Sequence, residues 1–116
     1  MELVEFLLAR IAEDEQVLNA SRQMGVPPLS ASSRMWSGIG NHATVSETRL
    51  AAECEAKRNV ATSYQVGREA AKLLARQGRT GEAETARNMY AGIELALSYL
   101  ALPYADHPDY DEAWRP

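Results

Sequence analysis

Cysteine is almost missing from this chain: Cys54 stands alone among 116 residues. No disulfide can close within the chain, which fits a reducing cytoplasm. Phenylalanine is as scarce, with Phe6 the single copy against nineteen alanines. A core this rich in alanine favours helices that approach one another closely. No apolar run reaches the eighteen or more residues of a membrane span, so none is expected. The opening Met1-Glu-Leu-Val-Glu-Phe-Leu-Leu-Ala-Arg10 carries acids where a secretory leader needs bases. Zinc-ligand spacing is missing, because the two histidines and the cysteine lie far apart. The Glu-x-x-His pattern of di-iron bundles is missing too. Gly38-Ile-Gly40 has no strand before it and so is no phosphate loop. No cofactor, no bound metal and no enzymatic activity are expected.

What is present is ordinary for a globular protein: 46% hydrophobic and 24% charged residues. A chain of this length makes one domain and buries roughly 65% of its unfolded surface. The net charge is −4, but its distribution says more. Residues 1–23 carry −3, residues 46–79 carry +3, residues 80–102 carry −2 and residues 103–116 carry −3. A basic middle lies between acidic neighbours. The expectation is an internal clasp, with the acidic first and third helices neutralising the second. A nucleic-acid site would instead leave a basic face uncompensated.

Periodicity gives the elements. Val4, Leu7, Leu8, Ile11 and Leu18 recur at helical spacing over residues 2–23. Leu3 and Phe6 widen that apolar face toward more than one neighbour. Gly25 and Pro27-Pro28 end the helix. Residues 24–45, with three Gly, two Pro and four Ser, read as an irregular loop. Leu29, Met35, Trp36 and Ile39 could pin it to the body. Ser46 is a good N-cap for a second helix over 46–77, with Leu50, Cys54, Ala61, Tyr64, Ala71 and Leu74 on one face. Unbroken it spans about 48 Å, with Gly67 and residues 59–63 as weak points. Gly78 is its natural stop. Thr80 is expected to cap a third helix over 81–102, carrying Ala83, Ala86, Tyr90, Ile93, Leu97 and Leu100 inward. Leu74-Ala-Arg-Gln-Gly78 leading to Glu82-Ala83 resembles one tetratricopeptide hairpin, but at least three repeats are needed. It reads as a plain antiparallel hairpin. The expected fold is all-α: a three-helix antiparallel bundle with a long central helix whose overhang needs a cover.

The last sixteen residues, Ala101 to Pro116, hold two Tyr, one Trp, three Pro and four acids. Chain ends normally fray, while aromatic rings bury large areas. The tail is therefore expected to dock. His107-Pro108 could open a short helical turn running to Trp114, with Pro at its first position.

The tail wording Leu102-Pro-Tyr-Ala-Asp-His-Pro-Asp-Tyr-Asp-Glu-Ala-Trp-Arg-Pro116 resembles the closing signature of a family of small proteins from actinobacteria and their phages. That family is known only as a domain of unknown function. Leu3-Val-Glu-Phe-Leu-Leu-Ala-Arg10 with Glu13-Asp14-Glu15 resembles its opening, and Glu53-Cys-Glu-Ala-Lys-Arg58 its central helix. The resemblance covers about 30 of 116 residues in the right order and lapses between residues 24 and 45. It implies a small phage or prophage protein in the cytoplasm and carries no activity with it.

Four chemistries find candidate residues. His107 sits beside Asp106, Asp109, Asp111 and Glu112, with His42 in the loop, but the spacing matches no calcium loop. Glu13, Glu15, Glu53 and Glu55 could line a metal-dependent helical hydrolase, yet its second paired-carboxylate motif is absent. Arg49, Lys57, Arg58, Arg68, Lys72, Arg76 and Arg79 could bind DNA, but Glu47, Glu53, Glu55 and Glu69 interrupt them. The Cys54 thiol, on an apolar helix face, reads as a packed hydrophobe. The favoured function is protein–protein interaction, as a homodimer and with a host protein as a further partner. The candidate contact surface is Phe6, Met35, Trp36, Tyr104, Tyr110 and Trp114.

Overall fold

In the computed structural model, residues 1–24 and 46–116 are described; Leu29, Met35, Trp36, Ile39 and His42 lie outside them. Three long helices pack on one another, and no strand occurs among the described residues. Helix α1 is Leu3–Met24, α2 is Glu47–Arg76 and α3 is Thr80–Ala101.

Each boundary has a local cause. Ser46 caps α2, its hydroxyl accepting from the Arg49 N–H at 3.1 Å. The far end closes as a Schellman turn. Gly78 takes φ +75°, its N–H bonds the Ala75 carbonyl, and the Arg79 N–H bonds the Leu74 carbonyl, at 3.1 and 3.0 Å. Thr80 does not cap α3. It is the first helical residue, Arg79 holds the cap position, and no side chain accepts there. The Arg79 guanidinium instead reaches forward to Glu82, one turn on.

Helix α2 runs unbroken through its weak points, residues 59–63 and Gly67. The reason is tertiary. A Cβ built on Gly67 would lie 3.1 Å from the Tyr90 Cβ, so the glycine lets α3 close in. The Tyr90 ring then meets that of Tyr64 edge-on at 5.5 Å. Ala61, Ala71, Ala83 and Ala101 are buried. Small residues bring these helices together, as the alanine content implied.

The helices are staggered. Ion pairs fix α1 antiparallel to α2: Arg22 with Glu47, Glu15 with Arg58, and Glu2 with Arg68. The start of α1 therefore lies level with Arg68, and α2, 30 residues against 22, runs on past it. That run of 8 residues is about 12 Å. Helix α3 covers it, because α3 begins at the turn itself. Neither the tail nor a second copy is needed there.

The expected clasp holds on one side only. Glu2, just before α1, and Glu15 within it pair with cations of α2. Among the described residues, no carboxylate of α3 pairs with a cation of α2. Their seam is too close and too apolar for long ion pairs: Gly67, Ala71, Ala83 and the stacked tyrosines occupy it.

The core sits where all three helices and the tail meet. Val4, Phe6, Leu7, Ile11, Ala61 and Leu97 are at most 1% exposed. Beyond α3 the chain makes two separate 3-10 turns, Leu102–Tyr104 and Glu112–Trp114. The single turn opening at His107-Pro108 does not form. Pro103 lies in the first turn, and the Asp111 carboxylate starts the second by accepting from the Ala113 N–H at 2.9 Å.

Candidate interaction surface

The tail seat is built around Phe6. Helical spacing places Phe6, Arg10 and Asp14 one above another on α1. The Phe6 ring is fully buried, with the rings of His107, Tyr110 and Trp114 at 5.7, 5.8 and 5.1 Å. Tyr110 and Trp114 meet edge-on at 5.6 Å. One turn along, the Arg10 guanidinium lies over Phe6, 5.2 Å from its centroid. It donates to Glu13 Oε1 at 2.9 Å and faces His107 Nε2. The Asp109 N–H approaches the other ring nitrogen of His107 at 3.0 Å. A neutral imidazole has one acceptor nitrogen, so it satisfies one of these two donors at a time. The Arg10 Nε is buried without a hydrogen-bond partner. One turn further, the Tyr104 hydroxyl donates to Asp14 Oδ2 at 2.6 Å, and Lys57 of α2 lies over the Tyr104 ring.

This seat accounts for most of the residues expected at a contact surface, and it corrects two of them. Phe6 and Tyr104 are interior: Phe6 is 0% and Tyr104 4% exposed. They cannot be offered to a partner, because the tail and α1 already enclose them. Tyr110 and Trp114 are half-buried against the same ring. Met35 and Trp36 lie outside the described residues.

Two half-open clefts flank the tail. One, about 240 Å³, lies between Arg10, Glu13, Asp14, Tyr104, Asp106 and His107. The other, about 310 Å³, is lined by Glu2, Val4, Tyr64, Glu94, Leu97 and Trp114 among others. No cluster of three or more His, Cys, Asp or Glu that could hold a metal ion occurs among the described residues. Of the carboxylates weighed for hydrolysis, Glu13 pairs with Arg10, Glu15 with Arg58 and Glu53 with Arg49.

The electrostatics follow the same ion pairs. Arg68, hydrogen-bonded and charged beside it, holds the Glu2 carboxyl below its ordinary range. Arg115 does the same for Glu112. Burial pushes the Cys54 thiol up, and Asp14 adds to the effect. Burial likewise raises the Tyr64 hydroxyl, with Glu94 adding to it. These shifts tie groups into the fold or silence them, and none activates a nucleophile.

The exposed apolar residues lie elsewhere. Met89, Leu95 and Tyr99 of α3 are 71%, 56% and 58% exposed, and Val66 and Leu73 of α2 also face solvent. Leu95 and Tyr99 are one turn apart, opposite the buried Leu97 and Ala101. Sequence reading missed this surface, although a signal was present. Between Asn88 and Leu102 only Glu94 is charged. Such a segment holds more apolar residues than one buried stripe can use.

Among the described residues, fold and surface define a small helical bundle whose polar side chains mostly hold it together, with large apolar side chains exposed on α2 and α3. The whole chain, residues 1–116, matches the family described as a family of unknown function, DUF6221, and the protein belongs to that family. No curated protein and no solved structure matches it. No helix among the described residues is long and apolar enough to cross a membrane.

Proposed function

We propose that this protein acts by protein–protein contact, as a homodimer rather than as an enzyme. The observation that carries the reading is the solvent-facing side of α3, where Leu95 and Tyr99 stand exposed one turn apart. Large apolar groups gathered on one face mark contact sites. A phage or prophage setting, in the cytoplasm and with a host protein as a further partner, is supported only by the resemblance of the tail, the opening and the central helix motif. The competing chemistries have less behind them. The hydrolase carboxylates are mostly held in ion pairs, and five of the seven cations proposed for DNA have carboxylate partners.

Sedimentation equilibrium tests the reading. An average mass that rises with concentration toward twice 12.8 kDa is expected. A monomer up to about 1 mM, with a duplex affinity that falls steeply with salt, would sink it in favour of the DNA reading. Magnesium- or manganese-dependent phosphate release lost in Glu53→Gln would sink it in favour of the hydrolase.

A further inference from the structure

The tail is joined to the bundle in an unusual way. Among the described residues, its backbone hydrogen bonds from Ala105 onward close within the tail itself, from Ala105 bonding Leu102 through Arg115 bonding Glu112. Side chains therefore hold this strap to α1: the rings on Phe6, the Tyr104 hydroxyl on Asp14, and His107 on Arg10. Of these ties, only an imidazole ordinarily changes charge between about pH 5 and pH 8.

Arg10 is the other half of that tie. Its side chain is 8% exposed, so water solvates its charge poorly. Glu13 pairs with it, and its Nε has no hydrogen-bond partner among the described residues. In an imidazolium both ring nitrogens carry protons, so Arg10 and the Asp109 N–H would both lose their acceptor. Two cations would then touch in a poorly solvated place.

Carboxylates oppose this repulsion. Glu13 and Asp14 of α1 and Asp106 of the tail line the cleft beside the ring, and Asp109 follows two residues on. From α2, Lys57 lies over the Tyr104 ring and adds positive charge, while α3 contributes nothing to the cleft lining. Repulsion wins the balance. Glu13 is already paired with Arg10, and Asp14 already accepts from Tyr104. Asp106 and Asp109 are exposed, so water and salt screen them. Arg10 is the charged side chain in direct contact with the ring.

We propose that the tail is an acid-opened strap: it stays seated while His107 is neutral, and protonation of His107 against Arg10 loosens it from α1 and uncovers Phe6 and Val4. The device works within one chain and does not depend on self-association.

A thiol beneath the tail reads the opening. Val4 is 1% exposed and shares a cleft with Trp114. The full chain carrying Val4→Cys and Cys54→Ala is labelled with dithiodipyridine, which reacts in mild acid. Dividing the rate in urea by the native rate at the same pH gives a protection factor free of thiol ionisation. With fast reclosing, that factor tracks the open population. Adding Trp114→Ala should lower it by about tenfold or more. No change would mean that the tail does not cover this site, and would overturn the strap. From about pH 7.5 to about pH 5.5, protection should fall by at least about threefold, with about tenfold as the ceiling for one imidazole that titrates near 6.5 when free. His107→Gln keeps an acceptor and cannot titrate, so its protection should stay flat. His42 is present in both chains, so its titration cancels. Equal falls in the two chains overturn the proposal and assign the loosening to carboxylates. A flat native profile overturns it as well, because the surrounding acids then neutralise the imidazolium in place. Arg10→Met tests the other half: the pH dependence should vanish or reverse. A dependence of native size in Arg10→Met would show that Arg10 is not the repelling charge, and would overturn the latch.

Discussion

The ring of Phe6, in the second turn of α1, lies 5.1 Å from the indole of Trp114, two residues from the last. This contact joins the two ends of the chain and makes the tail part of the core. Phe6→Ala empties a fully buried site shared by His107, Tyr110 and Trp114, and should cost about 3–5 kcal/mol in urea unfolding. Trp114 is only half-buried, so Trp114→Ala should cost less, about 2–3 kcal/mol. The double variant should fall short of additivity by about 0.5–1.5 kcal/mol, the coupling typical of an aromatic pair. Strict additivity would mean that the tail rests on the bundle without engaging it.

Gly67→Ala tests the close approach of α2 and α3. In a free helix the change stabilises by about 1 kcal/mol. Here the new methyl would stand 3.1 Å from the Tyr90 Cβ, an atom tied to the backbone of α3. A flexible side-chain end could swing aside, but a Cβ moves only if the helix moves. The melting temperature should therefore fall. A rise would show that the two helices part at little cost.

Much of the fold could be read along the chain because its causes are local. Ser46 capping α2 and Gly78 in its left-handed turn each act within a few residues. The continuity of α2 could not be read, because its cause is Tyr90 on another helix. The same holds for the tail seat: His107 meets Arg10 across nearly the full sequence. The burial of Phe6 could not be read either, because the rings that enclose it, His107, Tyr110 and Trp114, come from the far end of the chain. The candidate surface was the least legible part. Periodicity identifies the stripe that buries, and Leu95 and Tyr99 share that spacing on the other side of α3.

The Glu2–Arg68 pair gives a pH dependence. Arg68 holds the Glu2 carboxyl below its ordinary value of 4.5 in the folded chain. A depressed carboxylate adds stability that is present above the unfolded value and is lost as pH falls through the folded one. As pH falls from the ordinary carboxylate value through the lower folded one, the native protein should thus lose stability more steeply than Glu2→Gln, with the two curves meeting at the acid end. Added salt should shrink the gap at neutral pH, because Glu2 is exposed. Parallel curves would show that the pair adds nothing. The check is a set of urea melts at stepped pH.

Cys54 should be nearly inert while the protein is folded. The residue is 9% exposed on α2, and burial, reinforced by the nearby Asp14 carboxylate, raises the thiol pKa. The thiolate is the reactive form, so both access and ionisation are suppressed. Ellman's reagent at pH 8 should modify the native chain on the order of a hundredfold more slowly than the urea-unfolded chain. The same shift has a stability sign. A raised thiol contributes fully below the pH at which a free thiol ionises. That contribution is lost as pH rises from there through the folded value. Cys54→Ala should therefore flatten the alkaline side of the stability curve, at the expense of a small cavity in the core. Fast native labelling would instead mean that α1 lifts away from α2 near Asp14 and Glu15, and the Glu15–Arg58 ion pair would then be the first contact to re-examine.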